Sequence, residues 1–316
     1  MDKCIAACIF IVFIIGGCTD SDSDPSGTTV TGNKETQIVA SDILSINFFG
    51  VIPSNQLSTD RPFIVHLEVE NIGNNPVTLQ VDSSGSYDGD MVIYDYCSDI
   101  FEIDSFKMSP SYSGDPDEIE INPKTLQFFE WKSRTPDRDI VSDAGVVCNL
   151  YMQLSYDTVA STNAYVYFAT PFEILRSFYT RKNMYLLGSN LATDGPLKVN
   201  IISDSQQPIA MDNNAWTVSI NIENVGDGIV DVKNLTLVLP DEIETAGTNT
   251  TSGEDICNLD KAENLEIYKK SSKVITCMFT PPDEKVLIAT AYKIKAVVEY
   301  TYTIKDSVQL SVKPLA

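Results

Sequence analysis

The chain has 316 residues, 43% of them hydrophobic, and carries 44 acidic against 22 basic side chains for a formal net charge of -22. That length suits two domains of ordinary size, and that hydrophobic share excludes a largely disordered chain. A surface this acidic repels nucleic-acid phosphates and anionic headgroups, which excludes nucleic-acid binding as the expected role. It suits solubility in an exposed or salty setting, with a cation or a basic partner as the sharper alternative.

Lys3 opens the chain and is followed by an unbroken apolar run over residues 5–15. Eleven residues are short for a membrane span, which needs about 20. Then come Ile15-Gly16-Gly17-Cys18 and the polar Thr19-Asp20-Ser21-Asp22. This resembles the lipobox of prokaryotic lipoproteins: an aliphatic residue, two small residues, then cysteine. The resemblance implies a signal peptide over 1–17, cleavage before Cys18 and a diacylglycerol thioether on its sulfur. An uncleaved N-terminal anchor is the alternative, and both readings put the remainder outside the cytoplasm. Residues 18–39, the lipidated cysteine and a Ser/Thr/Asp/Gly-rich stretch, bury no core and read as a flexible stalk spanning about 25 Å on average.

Seven cysteines divide into three uses. Cys4 and Cys8 leave with the signal segment, and Cys18 takes the lipid. Cys97, Cys148, Cys257 and Cys277 remain. An even number in an exported chain suggests disulfides, and the spacing suggests Cys97–Cys148 and Cys257–Cys277. Zinc is the alternative, but there is no Cys-x-x-Cys and one histidine, His66.

An internal repeat follows. Residues 62–74, PFIVHLEVENIGN, align without gaps to residues 215–227, AWTVSINIENVGD, at an offset of 153 (215 − 62). The same offset pairs Ile46-Asn47-Phe48 with Val199-Asn200-Ile201. Farther on, Thr135-Pro136-Asp137 matches Pro281-Pro282-Asp283 at an offset of 146 (281 − 135). At that offset Trp131 aligns with Cys277 and Cys148 with Ile294. Phe63, Val65, Leu67 and Val69 alternate with polar residues, as do Trp216, Val218, Ile220 and Ile222, the period of a half-buried strand. Asn-Ile-Gly and Asn-Val-Gly then mark turns. Further strands are expected over 77–81, 91–94, 147–156 and 164–168 in the first copy. In the second they are expected over 235–239, 274–279, 292–302 and 307–312. Short strands separated by turns predict an all-β chain of two tandem immunoglobulin-like sandwiches, 40–173 and 196–316. Between them, Phe172, Leu175, Phe178, Tyr179 and Lys182 fall at near-helical spacing. A helical strap and linker is therefore expected over 174–195, with an apolar patch around 172–187.

The alternating strand followed by Glu70-Asn71-Ile72-Gly73, and again by Glu223-Asn224-Val225-Gly226, resembles the CARDB-like immunoglobulin-fold modules of prokaryotic, often archaeal, surface proteins. The two copies cover about 250 residues. The resemblance implies adhesion, spacing or envelope assembly. The long acidic middle of the first copy, 98–136, departs from it.

Candidate chemistry is sparse. His66 is at most one imidazole base, placed on the strand face opposite Phe63 and Val65. No Gly-x-Ser-x-Gly elbow, phosphate-binding glycine loop or His-Glu-x-x-His motif occurs. Asp82, Asp88 and Asp90 form one acidic loop, and Asp115, Asp117, Glu118 and Glu120 a second run. Such loops can supply oxygens to calcium, though neither has EF-hand spacing, and solvated loops are the simpler reading. Asn234-Leu-Thr and Asn249-Thr-Thr are glycosylation triplets. The expectation is a non-catalytic protein, lipid-anchored at the extracellular face of the membrane, with an unidentified protein or surface partner and no cofactor. The alternative is an accessory subunit or a carboxylate-based extracellular hydrolase using the acidic insertion of the first copy.

Overall fold

The computed structural model describes residues 42–80, 89–95, 102–109, 118–180, 195–203, 207–211, 215–245, 264–282 and 290–315. Residues Val39–Ala316 form one compact unit. The fold is an all-β sandwich of antiparallel sheets. Its first copy contains β1 (Leu44–Ile52), β2 (Gln56–Ser58), β3 (Pro62–Asn71), β4 (Val77–Gln80), β5 (Met91–Asp95), β6 (Glu102–Ser109), β7 (Glu118–Ile121), β8 (Leu126–Arg134) and β9 (Val146–Ala169). A helix, α1 (Pro171–Thr180), leads to the second copy. That copy holds β10 (Leu197–Ser203), β11 (Ile209–Ala210), β12 (Trp216–Asn224), β13 (Ile229–Val238), β14 (Glu244–Thr245), β15 (Leu265–Ile267), β16 (Ser272–Thr280) and β17 (Thr290–Lys313).

The repeat seen in the sequence is a repeat of structure. One four-stranded sheet has the order β1-β3-β8-β6 and another β10-β12-β16-β14. Their registers coincide: Val65 faces Trp131 in one, and Val218 faces Cys277 in the other. The strict alternation of burial along β3 and β12 follows from the alternation of apolar residues in their sequences.

The third sheet joins the copies. Its path is β11-β9-β17-β13-β15, with β5 on β9 and β2 on β17. β9 and β17 each run 24 residues, and they pair antiparallel from Val146↔Val312 to Phe168↔Thr290. Each had been expected as two strands with a break. The breaks fell at Asp157 to Asn163 and at Thr303 to Asp306, which are mostly polar. Here they continue the ladder, since each strand supplies the other's backbone partners; Asp157 points to the open face, while Thr162 is buried. The first nine residues of the two strands share one burial pattern at an offset of 144 (290 − 146). Cys148 is thus equivalent to Tyr292, not to Ile294 as the sequence alignment had it. At the same offset Asp157 is equivalent to Thr301, and these two face each other across the ladder. A local two-fold axis therefore passes through this pair.

The far half of each long strand serves the other copy. Phe168 and Ala169 of β9 pair in parallel with Ile209 and Ala210 of the second copy. Ser311 to Lys313 of β17 pair in parallel with Gln56 to Ser58 of the first. Phe168 lies 5.3 Å from Trp216 of β12 and 5.7 Å from Tyr292 of β17. One continuous core results, running from Leu44 and Phe63 to Phe279 and Val312. The copies interlock through a shared sheet, a feature the expected helical strap between separate sandwiches does not contain.

Candidate functional site

The Glu-Asn-x-Gly turns close each copy in the same way. Asn71 is buried; its Nδ2 donates to the carbonyls of Asn75 and Ile121, both at 2.8 Å, and its Oδ1 accepts the Gly73 N–H at 2.9 Å. Asn224 repeats this: Nδ2 donates to Gly228 and Ile267 at 2.9 Å, and Oδ1 accepts from Gly226 at 3.0 Å. Every polar atom of a buried amide is thereby satisfied, which is what burial requires. The motif that carries the family resemblance is a structural latch.

Beside the second latch the polypeptide enters the sandwich. Asp42 Oδ1 accepts the Tyr302 hydroxyl at 2.6 Å, and that hydroxyl accepts the Gly228 N–H at 2.6 Å. The Ile43 N–H donates to Tyr156 Oη at 3.4 Å, and the phenol of Tyr300 bonds the backbone of Leu197. Leu44 and Leu197, which open β1 and β10, are repeat equivalents (197 − 44 = 153), so Tyr156 and Tyr300 do matching work. Burial pushes all three phenols well above the ordinary tyrosine value of 10.0, and for Tyr302 the Asp42 carboxylate adds to the rise. Sequence reasoning missed this cluster. Its only signal was a pair of tyrosines two apart, on one face of a strand.

His66 is more enclosed than a half-exposed strand histidine. Its side chain is 14% exposed, with Nε2 3.1 Å from Glu68 Oε1 and Nδ1 3.4 Å from Glu130 Oε1, the latter without hydrogen-bond geometry. Phe48 and Phe128 flank the ring at 5.8 and 5.9 Å.

Of the first acidic loop, Asp82 and Asp88 lie outside the described residues. Asp90 does not offer a free carboxylate, because its Oδ2 accepts the Gln80 N–H at 2.7 Å. Burial raises its pKa, with the Gln80 bond opposing. Asp115 and Asp117 also lie outside; Glu118 and Glu120 sit exposed on β7. Among the described residues no group of three or more His, Cys, Asp or Glu is placed to hold a metal ion. Near the two-fold, Lys233 Nζ bonds Asp157 at 2.8 and 2.9 Å, and Thr301 donates to the same carboxylate at 2.6 Å.

Cys148 and Cys277 are buried, on β9 and β16. Cys18, Cys97, Cys257 and Asn249 lie outside the described residues. Asn234 is exposed at a bulge of β13, where the register shifts between Val232 and Asn234, and its Nδ2 lies 3.4 Å from Thr236 Oγ1. Among the described residues no helix is long and apolar enough to cross a membrane.

No family model matches the chain, and no curated protein matches it. Among solved structures it is similar to the secreted serine protease VesC from Vibrio cholerae, at 9% identity and a TM-score of 0.20, over 83% of this chain and 50% of that one. The chain thus spans about half the length of that structure, and a likeness at this score carries no argument about fold or activity.

Proposed function

We propose that the chain is a lipid-anchored protein of the extracellular face of the cell membrane, presenting two fused immunoglobulin-like, CARDB-like modules for binding, adhesion or envelope assembly, without catalysis. The observation that carries this reading is where the polypeptide enters the sandwich. Asp42, close after the stalk, is held by Tyr302 at the junction of the two copies. A tether on Cys18 therefore meets the fold at β1 and, through the Asp42–Tyr302 bond, at the shared sheet. The apolar run, the Gly-Gly-Cys sequence and the polar stretch after it support the anchor.

The Cys97–Cys148 disulfide belongs to the same proposal. β5 and β9 pair Asp95 with Leu150, and in sequence Cys97 follows Asp95 by two residues as Cys148 precedes Leu150 by two. Cys257–Cys277 is proposed from spacing alone.

Fractionation tests the anchor. The native chain should sediment with membranes, and Cys18→Ala should move it to the soluble fraction. Retention of that variant in the membrane would sink the reading.

A further inference from the structure

The helix α1 turns its apolar side outward. Its start is well built: Thr170-Pro171-Phe172-Glu173 has the sequence of a capping box with proline in the first turn, and Thr170 Oγ1 accepts the Glu173 N–H at 3.3 Å. Glu173 is 14% exposed at its side chain and pairs with Arg176 Nη2 at 3.0 Å, while Ser177 is buried. These residues face the protein or border it. Phe172, Leu175, Phe178 and Tyr179 are 70%, 54%, 77% and 75% exposed. At 100° per residue those four share one arc of roughly 120°. A contiguous outward face of this kind on a capped helix marks a contact surface.

We infer that α1 is a second membrane contact, lying in the interface of a neutral bilayer with Phe172, Leu175, Phe178 and Tyr179 inserted. This rests on the lipid-anchor reading above. Three observations choose the bilayer as the occupant. The first is reach. Asp42 bonds Tyr302, which faces Tyr156 on β9, and α1 follows Ala169, thirteen residues on (169 − 156). That is about 43 Å along the strand. The 24 residues from Cys18 to Asp42 (42 − 18) can span up to about 80 Å, so an anchored chain can lay α1 on the membrane that holds it. The second is size. A ten-residue helix about 15 Å long and about 10 Å across presents a face of roughly 150 Å², far short of the ~800 Å² per partner that a stable protein interface buries. Four side chains entering lipid need no such area, and phenylalanine and tyrosine suit the headgroup boundary. The third is charge. A net charge of -22 repels anionic lipid, whereas Arg176 and Glu173 balance each other on the helix, so the contact is apolar and the lipid neutral.

The test uses the lipidated full-length chain reconstituted into phosphatidylcholine vesicles with brominated acyl chains. Phe178→Trp places an indole on the outward face, while Trp131 and Trp216 are buried and give the wild-type reference. The inference expects the added emission to shift blue and to be quenched several-fold in brominated relative to ordinary vesicles. It also expects Phe172→Ser with Leu175→Ser to abolish that quenching while the protein still floats with the vesicles. Flotation without quenching of the added indole overturns the membrane contact and leaves the anchor standing. Failure to float overturns the anchor and this inference with it.

Discussion

The two copies share the buried asparagine latch and differ in the strand that leaves it. In the second copy, β13 runs from Ile229 to Val238 and pairs with β17 along its whole length, with a bulge at Val232/Asn234, while Val230 to Val232 also pair with β15 on the other edge. In the first, the same path is cut into β4, which pairs with β7, and β5, which pairs with β9. The cut falls at the place where the intact strand has its bulge. The ladder is already interrupted at that point, so an insertion breaks few bonds, and loop closure adds little. Its two ends stay tied: Asp90 N–H donates to Gln80 O at 2.8 Å, and the Asp90 carboxylate accepts from Gln80 in return. The acidic loop of Asp82, Asp88 and Asp90 is thus a splice at a tolerant position, set on a framework that both copies keep.

A second difference concerns where the polypeptide enters. It lies against both latches but loads them unequally, and this gives the largest expected effect. A Cβ on Gly226 would collide with Tyr302 Oη, Asp42 Oδ1 and Pro196 Cβ at once; on Gly73 it would meet chiefly Ile43 Cγ2, at 2.7 Å. Gly226→Ala should cost about 3 kcal/mol or more and Gly73→Ala about 1–2 kcal/mol in denaturant unfolding. Equal losses would mean that the entering segment does not distinguish the copies. Next come the latches themselves. Asn71→Ala and Asn224→Ala each strand two buried carbonyls and one N–H, and each should cost about 2–4 kcal/mol. The two values should agree within about 1 kcal/mol, and a large disparity would break the equivalence of the copies.

The tyrosine cluster predicts an alkaline limit. Burial raises the folded-state pKa values of Tyr156, Tyr300 and Tyr302 above the ordinary tyrosine value of 10.0. The folded chain therefore holds their protons after the unfolded chain has lost them. The stabilisation is complete below about pH 10 and is lost as pH rises toward the folded values, at about 1.4 kcal/mol per pH unit for each phenol still protonated. Unfolding free energy measured from pH 8 to 11.5 should stay flat and then fall, with a shallower fall in Tyr302→Phe. No difference in slope would remove Tyr302 from the cluster. The smallest effect belongs to the polar patch on the two-fold. Lys233 and Asp157 are both well exposed, so Lys233→Met should cost less than about 1 kcal/mol. A larger loss would mean that the open face of the shared sheet is not simply solvated.

How far the sequence showed this depends on the residue. The Glu-Asn-x-Gly turns and the alternating strands were legible, because period-two burial and a glycine-bearing turn leave direct marks on composition. The interlock was not. Asp157, Thr158, Ser161, Thr162 and Asn163 look like a turn in isolation, and only the opposite strand, more than a hundred residues away, makes them ladder members. The Tyr302–Asp42 bond spans 260 residues and leaves no local pattern. α1 was legible in its spacing, but not in the direction its apolar side faces.

The reciprocal exchange of strand ends between copies makes one prediction above the rest. Phe168 completes the core of the second copy and Val312 pairs with Leu57 of the first, so neither copy can lose its structure alone. Scanning calorimetry of the intact chain should show a single transition whose calorimetric and van't Hoff enthalpies agree. Two separable transitions, or a calorimetric enthalpy about twice the van't Hoff value, would contradict the interlocked account.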